Sequence, residues 1–274
     1  MHSLDVIDQW PVDHAAAVVL SGKNSDEGGR FRAFHGDQHR VFPLASVTKL
    51  LCAYAILVAV EEGAVELDQP AGPDGSTVRH LLAHASGLAF GERKVQAPVA
   101  SKRIYSSAGF EVLAELIESE TSIPFADYLA EAVFEPLQMS TAELVGPAGH
   151  GAQASAEDLS KFAAELLAPT LISPQTHKAA TSVQFPGLNG ILPGYGSQRP
   201  NDWGLGFEIR GHKNPHWTGL ENSEATYGHF GQSGTFLWVD PRIDTACVVL
   251  TDRPFGDWAK PLWTEVSDRV IAGK

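Results

Sequence analysis

The run Leu50 to Val60 carries apolar residues on every helical face, so it predicts a helix buried on all sides. That helix opens at Ser46-Val47-Thr48-Lys49 and ends near Glu61-Glu62, with Gly63 as its C′ residue. Upstream, Ala15 to Leu20 and the alternating stretch Arg30 to Phe34 predict two strands joined by a Gly-containing loop. Asp68 to Ser76 reads as loop, and Thr77 to His84 as a short helix stopped by Ser86-Gly87. Further helices are expected over Gly109 to Glu120, from Pro124 through Val133, and over Ala156 to Leu167 with Ser155 as N-cap. Phe185 to Asn201, rich in Gly, Pro and Asn, reads as a long surface loop and a candidate lid. Beyond Trp203 the pattern turns to strands: Gly204 to Ile209, Tyr227 to Gly231, Thr235 to Val239 and Thr245 to Leu250. A hairpin turn at Asp240 to Asp244 joins the last two, and a closing helix runs from Trp258 to Ile271.

Strands at both ends and helices between them imply an interrupted sheet. Residues 1–45 should pair with residues from 202 onward, and 46–201 should form a helical insertion. At 274 residues and 43% hydrophobic content the chain can bury a large core as one domain of two interleaved lobes. A formal net charge of −13 argues against nucleic acid and anionic membrane surfaces as partners. Leu50 to Val60 is too short to span a bilayer. The N-terminus lacks a basic segment followed by an apolar one, which predicts a cytoplasmic protein. Cys52 and Cys247 both lie in apolar runs, as buried thiols do, and the sequence leaves a disulfide between them open.

A lysine on the first turn of a buried helix is drawn out of water, and that needs a reason. Nucleophilic catalysis supplies one: Lys49, three residues after Ser46, can take its proton if desolvation lowers the amine's pKa. The backbone N–H of Ser46, at a helix start, can face a developing oxyanion. An S-x-x-K occurs by chance in roughly half of chains this long, so the spacing carries little weight alone. His80 and His84 stand at i and i+4, and His212 and His216 share a polar loop. No third ligand with a metal-site spacing is near, so no metal is assigned. Gly231-Gln232-Ser233-Gly234-Thr235 lacks the last glycine of a nucleophile elbow and lies in a strand context. Phe90, Tyr195, Trp203 and Trp217 are candidates for a pocket lining, one or two of them at most.

Four stretches in order change the weighing: Phe42-Pro43-Leu44-Ala45-Ser46-Val47-Thr48-Lys49, Leu81-Leu82-Ala83-His84-Ala85-Ser86-Gly87-Leu88, Tyr105-Ser106-Ser107-Ala108-Gly109-Phe110 and Gly228-His229-Phe230-Gly231-Gln232-Ser233-Gly234-Thr235. Together they resemble the class C β-lactamase-like serine hydrolases, which include β-lactamases, D-Ala-D-Ala carboxypeptidases, D-aminopeptidases and serine esterases. The resemblance implies an α+β fold: an antiparallel sheet flanked by N- and C-terminal helices, packed on an all-helical lobe, with the site between them. It implies Ser46 as acylated nucleophile, Lys49 as its proton-transfer partner, and Tyr105 as second base and proton donor. Gln232, following His229 and Gly231, would give the second oxyanion N–H, and no metal or organic cofactor is implied.

Three departures bear on substrate. Ser107 stands where many relatives have Asn, His229 replaces the lysine of K-T-G with a charge expected to vary across physiological pH, and Phe230 replaces its threonine. Together they weaken recognition of an anionic acyl-D-amino acid or penicillin. A hydrolase of small carboxylic esters therefore ranks first, a β-lactamase or D-Ala peptidase second, and a non-catalytic ligand-binding relative third. The substrate would be a small-molecule ester or amide; the oligomeric state stays open.

Overall fold

The computed structural model describes residues 3–21 and 31–273. After a 3-10 turn at Asp5–Gln9, strands β1 (Ala15–Ser21), β2 (Phe31–Gly36) and β3 (Val41–Pro43) lead through a second 3-10 turn, Ala45–Val47, into α1 (Thr48–Glu61). Next come α2 (Val78–Leu82), α3 (Ala108–Thr121) and α4 (Phe125–Leu129), which continues as a π turn over Ala130–Phe134. Strands β4 (Glu143–Leu144) and β5 (Ala152–Ser155), helices α5 (Ala156–Leu167) and α6 (Pro174–Ala180), and the hairpin β6 (Gly190–Leu192) and β7 (Gly196–Gln198) follow. The chain closes with β8 (Glu208–Ile209), β9 (Tyr227–Gly231), β10 (Thr235–Asp240), β11 (Thr245–Thr251) and α7 (Ala259–Ile271).

The main sheet has the order β2-β1-β11-β10-β9-β8 and is antiparallel throughout. Its centre joins the two ends of the chain, Ala15 opposite Thr251 and Ser21 opposite Thr245. Alternation divides its side chains between two cores. Ala16, Val18, Leu237 and Val248 face α1 and α5, while Ala17, Val19, Trp238 and Cys247 face α7 and the N-terminal turn. Because both faces are covered, β10 and β11 read as unbroken apolar runs rather than alternating ones. Cys52 and Cys247 lie in different cores and both thiols are free.

The buried helix forms as its pattern predicts, from Thr48 to Glu61, with Gly63 at φ 74° in the left-handed C′ position. Ser155 caps α5 by accepting the Asp158 N–H. The loop expected after Leu20 lies mostly outside the described residues. Within 46–201, the segment expected to be all-helical, β4 and β5 pair with β3 in a second small sheet, and α5 packs on β1, β10 and β11. Strands of two to four residues are too short to show a period, and α5 joins the main sheet through long-range contacts.

The expected surface loop at 185–201 is instead a hairpin fixed from beneath. The Arg103 N–H donates to Asn189 O, and its buried guanidinium donates to the carbonyls of Ala83, Gln184, Phe185 and Asn201. Four carbonyls on one guanidinium hold this segment as a wall rather than a lid. Among the described residues, no helix is long and apolar enough to cross a membrane.

Candidate active site

Two elements hold the chain on its approach to Ser46. The Leu44 N–H donates to Ala152 O of β5, while Pro43 O and Leu44 O accept the hydroxyls of Ser233 and Thr235 from the β9–β10 turn. Gly231 is required here, since a Cβ would overlap Leu44 O and the Thr235 hydroxyl. This close approach sets Gly231-Gln232 beside Ala45-Ser46. Ala45 takes φ 45°, a left-handed conformation unusual for alanine, immediately before the half-buried Ser46.

One turn on, Lys49 is fully buried. Its Nζ lies 3.4 Å from Ser46 Oγ, donates to Ser107 Oγ at 3.0 Å and to Gly149 O at 2.6 Å, and sits 4.7 Å from the centre of the Tyr105 ring. Burial lowers its pKa from 10.5 to about 7, partly offset by Cys52 and Glu111. The Gly149 carbonyl is itself aimed from outside the recognisable motifs: Glu111 of α3 accepts the N–H groups of Ala148 and Gly149. Neither residue was singled out from sequence, because backbone carbonyls carry no sequence signal.

Tyr105 presents a half-buried ring with a buried hydroxyl. Burial raises its pKa, opposed by proximity to Ser46, so the resting group is a neutral phenol. Its Oη has no hydrogen bond of normal geometry and is free to turn to a reacting atom. A phenol can donate a proton in this state, whereas the Lys49 amine, titrating at about 7, can accept one. Ser107 does not reach the cavity walls; its hydroxyl is committed to Lys49.

His229 departs from its expected titration near neutrality. Burial and the neighbouring Lys49 hold its pKa down to about 3, and Nδ1 donates to Phe230 O at 2.6 Å, so the ring is neutral with a bare Nε2. Trp203 and Tyr105 pack against it, with ring centres 5.4 and 5.5 Å away. Phe230 packs against Trp217, Phe255 and Trp263 in the core beneath α7.

These groups open on a cavity of about 310 Å³. Ser46, Tyr105, His229, Phe230 and Gln232 line it, with Trp203 and Phe90 from the aromatic candidates and Leu192 and Pro193 from the hairpin. Tyr195 and Trp217 pack behind Phe230 instead. One wall residue that sequence reasoning missed is Glu208. Its buried carboxylate accepts Lys213 Nζ at 2.9 Å and Trp217 Nε1 at 2.7 Å and pairs with His216 Nε2 at 2.9 Å, which holds it well below the usual carboxylate range. The strand pattern at Gly204 to Ile209 says nothing of the loop after it folding back, so the pairing was invisible in one dimension. His212 reaches Glu224 at the surface, His80 shares a hydrogen bond with Thr77, and His84 lies under Tyr105, so each histidine considered for a metal has another setting.

Known proteins resemble this chain. A crystal structure described as a β-lactamase from Mycobacterium bovis is 58% identical, covers 98% of each chain and superposes with a TM-score of 0.95. A hydrolase with promiscuous acyltransferase activity, EstCE1, shares the fold at 16% identity and a TM-score of 0.78, covering 98% of this chain and 96% of its own. A Salmonella heidelberg (strain SL476) protein with the provisional name D-alanyl-D-alanine carboxypeptidase is 27% identical over 208 residues, 59% of this chain and 48% of its own. The chain thus spans about half the length of that relative. The sequence model of the Beta-lactamase family matches residues 14–267, and the chain belongs to that family of serine hydrolases.

Proposed function

We propose that the protein hydrolyses small neutral carboxylic esters through an acyl-enzyme on Ser46. One observation carries the choice of substrate: among the described residues, no cationic side chain lines the cavity that holds Ser46. Lys49 lies behind it with its amine held by Gly149 O and Ser107 Oγ, His229 is neutral, and the charged group in the wall is the Glu208 carboxylate. A carboxylate-bearing substrate entering there would lose water without gaining a cation.

In this reading the Lys49 amine accepts the Ser46 proton as Oγ attacks the ester carbonyl. The N–H groups of Ser46 and Gln232 stabilise the oxyanion. The tetrahedral intermediate then collapses, the leaving alkoxide takes the Tyr105 proton, and the Lys49 ammonium restores it to the phenolate. Water attacks the acyl-enzyme by the same transfers in reverse, returning a proton to Ser46. The test is turnover of p-nitrophenyl acetate by the wild type and Ser46→Ala; equal rates would overturn the reading.

A second reading, β-lactamase or D-Ala-D-Ala carboxypeptidase, is favoured by how the M. bovis and Salmonella relatives are described. Intact-mass measurement after incubation with a penicillin decides between them. The ester reading expects neither a lasting adduct nor loss of intact penicillin, and a stoichiometric adduct on Ser46 or catalytic opening of the β-lactam would favour the second.

A further inference from the structure

A second chamber of about 330 Å³ adjoins the one that holds Ser46. It is bounded by Ile104, Ile191 and Lys102 and shares Phe90, Tyr105 and Pro193 with the first, so the two meet across the Phe90 ring. Phe90 stacks on Tyr105 with ring centres 5.8 Å apart. Phe90 and Ile191 are 60% and 68% exposed, large apolar side chains left in water at the rim of a catalytic cleft. The wall is already built: the Arg103 N–H and guanidinium hold both ends of the 184–201 segment, so a ligand need not order it on binding. Resting on the ester reading, we infer that this chamber receives an extended aliphatic limb of the substrate, threaded past Phe90 from a scissile carbonyl at Ser46.

The limb belongs to either the acyl or the alcohol side, and two ester series separate them. One series varies the acyl chain from acetyl to octanoyl on p-nitrophenol; the other varies the alcohol from ethyl to octyl on acetate. The wild type should prefer the longer member in one series. Ile191→Asp, an exposed position whose change does not disturb the core, should lower that long-to-short ratio of kcat/KM by about tenfold or more. A ratio unchanged by Ile191→Asp in both series overturns the chamber reading while the ester reading stands. No turnover of any ester by the wild type overturns both.

His84 supports a second inference, which rests on the part given to Tyr105 in the ester reading. Its backbone carbonyl accepts the Ile104 N–H at 3.0 Å and its Nδ1 accepts the Ser106 N–H at 3.1 Å, so one residue grips the amides on both sides of Tyr105. The His84 ring, buried and at φ 54°, lies 4.8 Å from the Tyr105 ring. We propose that His84 is the positioning residue for Tyr105, fixing where the phenol stands without touching substrate. His84→Phe keeps a ring and loses the acceptor, and kcat should fall about 100-fold. In a Tyr105→Phe background the same change should cost less than about threefold, since nothing remains to position. His84→Asn tolerates the left-handed backbone and offers an acceptor near Nδ1, and it should recover most of the loss. Multiplicative losses in the double variant, or Asn as poor as Phe, would show a merely structural role.

Discussion

Replacing Lys49 with methionine tests whether the buried amine is held near neutrality at the expense of fold stability. The amine titrates at about 7 in the folded protein against 10.5 for an ordinary lysine. Its folded pKa is the lower one, so the unfolded chain binds the extra proton between those values and stability rises with pH across that window. At pH 6 both states carry the charge, and the full difference, about 5 kcal/mol at about 1.4 per pH unit, opposes folding. At pH 9 the folded amine is neutral and the opposing amount shrinks to about 2 kcal/mol. Methionine removes this pH-dependent part and leaves Gly149 O and Ser107 Oγ without their donor, a pH-independent loss of about 1–3 kcal/mol each. His84 and His229 feel the same charge, but burial already holds both well below the ordinary range and neutral at either pH. The stability of Lys49→Met relative to wild type should therefore be greater at pH 6 than at pH 9 by about 3 kcal/mol. Urea unfolding at the two pH values measures it. Turnover by the variant should vanish, and wild-type kcat/KM should fall about tenfold per pH unit below 7. A relative stability that agrees at both pH values within about 1 kcal/mol, or a flat wild-type profile from pH 6 to 8, would refute the reasoning.

Other perturbations probe the residues around this amine. Glu111→Gln keeps an acceptor for the Gly149 N–H and removes a negative charge that favours the Lys49 ammonium, so the pH–rate midpoint should move downward; an upward move would contradict the assignment. Glu208→Gln strands the buried Lys213 ammonium and should destabilise the fold by about 3–5 kcal/mol in denaturant titration, and a loss under about 1 kcal/mol would show the pair to be dispensable. Gly231→Ala should displace the Gln232 N–H as its methyl meets Leu44 O, lowering kcat about 100-fold in steady-state assays; near-normal kcat would remove Gln232 from the oxyanion pair.

Much of the frame was legible because it is written in apolar runs and the residues that end them. Leu50 to Val60 read as a buried helix, and the apolar runs at 235–239 and 245–250 read as strands, as the structure has them. Gly63 and Ser155 marked helix ends by local backbone chemistry. The hairpin at 190–198 and the β3-β5-β4 sheet were not legible, since their strands are too short for a pattern and their hydrogen bonds come from distant partners such as Arg103. The site divides in the same way. Ser46, Lys49, Tyr105 and the His229-to-Gln232 strand could be recognised by order and type. Gly149, Glu111, Glu208 and Lys213 could not, because their parts are a backbone carbonyl, a carboxylate that holds backbone N–H groups, and an ion pair made where a loop folds back on its strand.

The sequence by itself determined that a serine, a lysine and a tyrosine stand in the family's order and that the lysine is led into an apolar helix. Only the tertiary structure decided their protonation states. Burial removes water from the Lys49 amine, the His229 ring and the Tyr105 hydroxyl, and desolvation acts through the whole surrounding shell rather than through neighbours in the chain. The histidine that spacing alone would have left to titrate near neutrality is therefore neutral, and the lysine that would have been a cation titrates near neutrality instead.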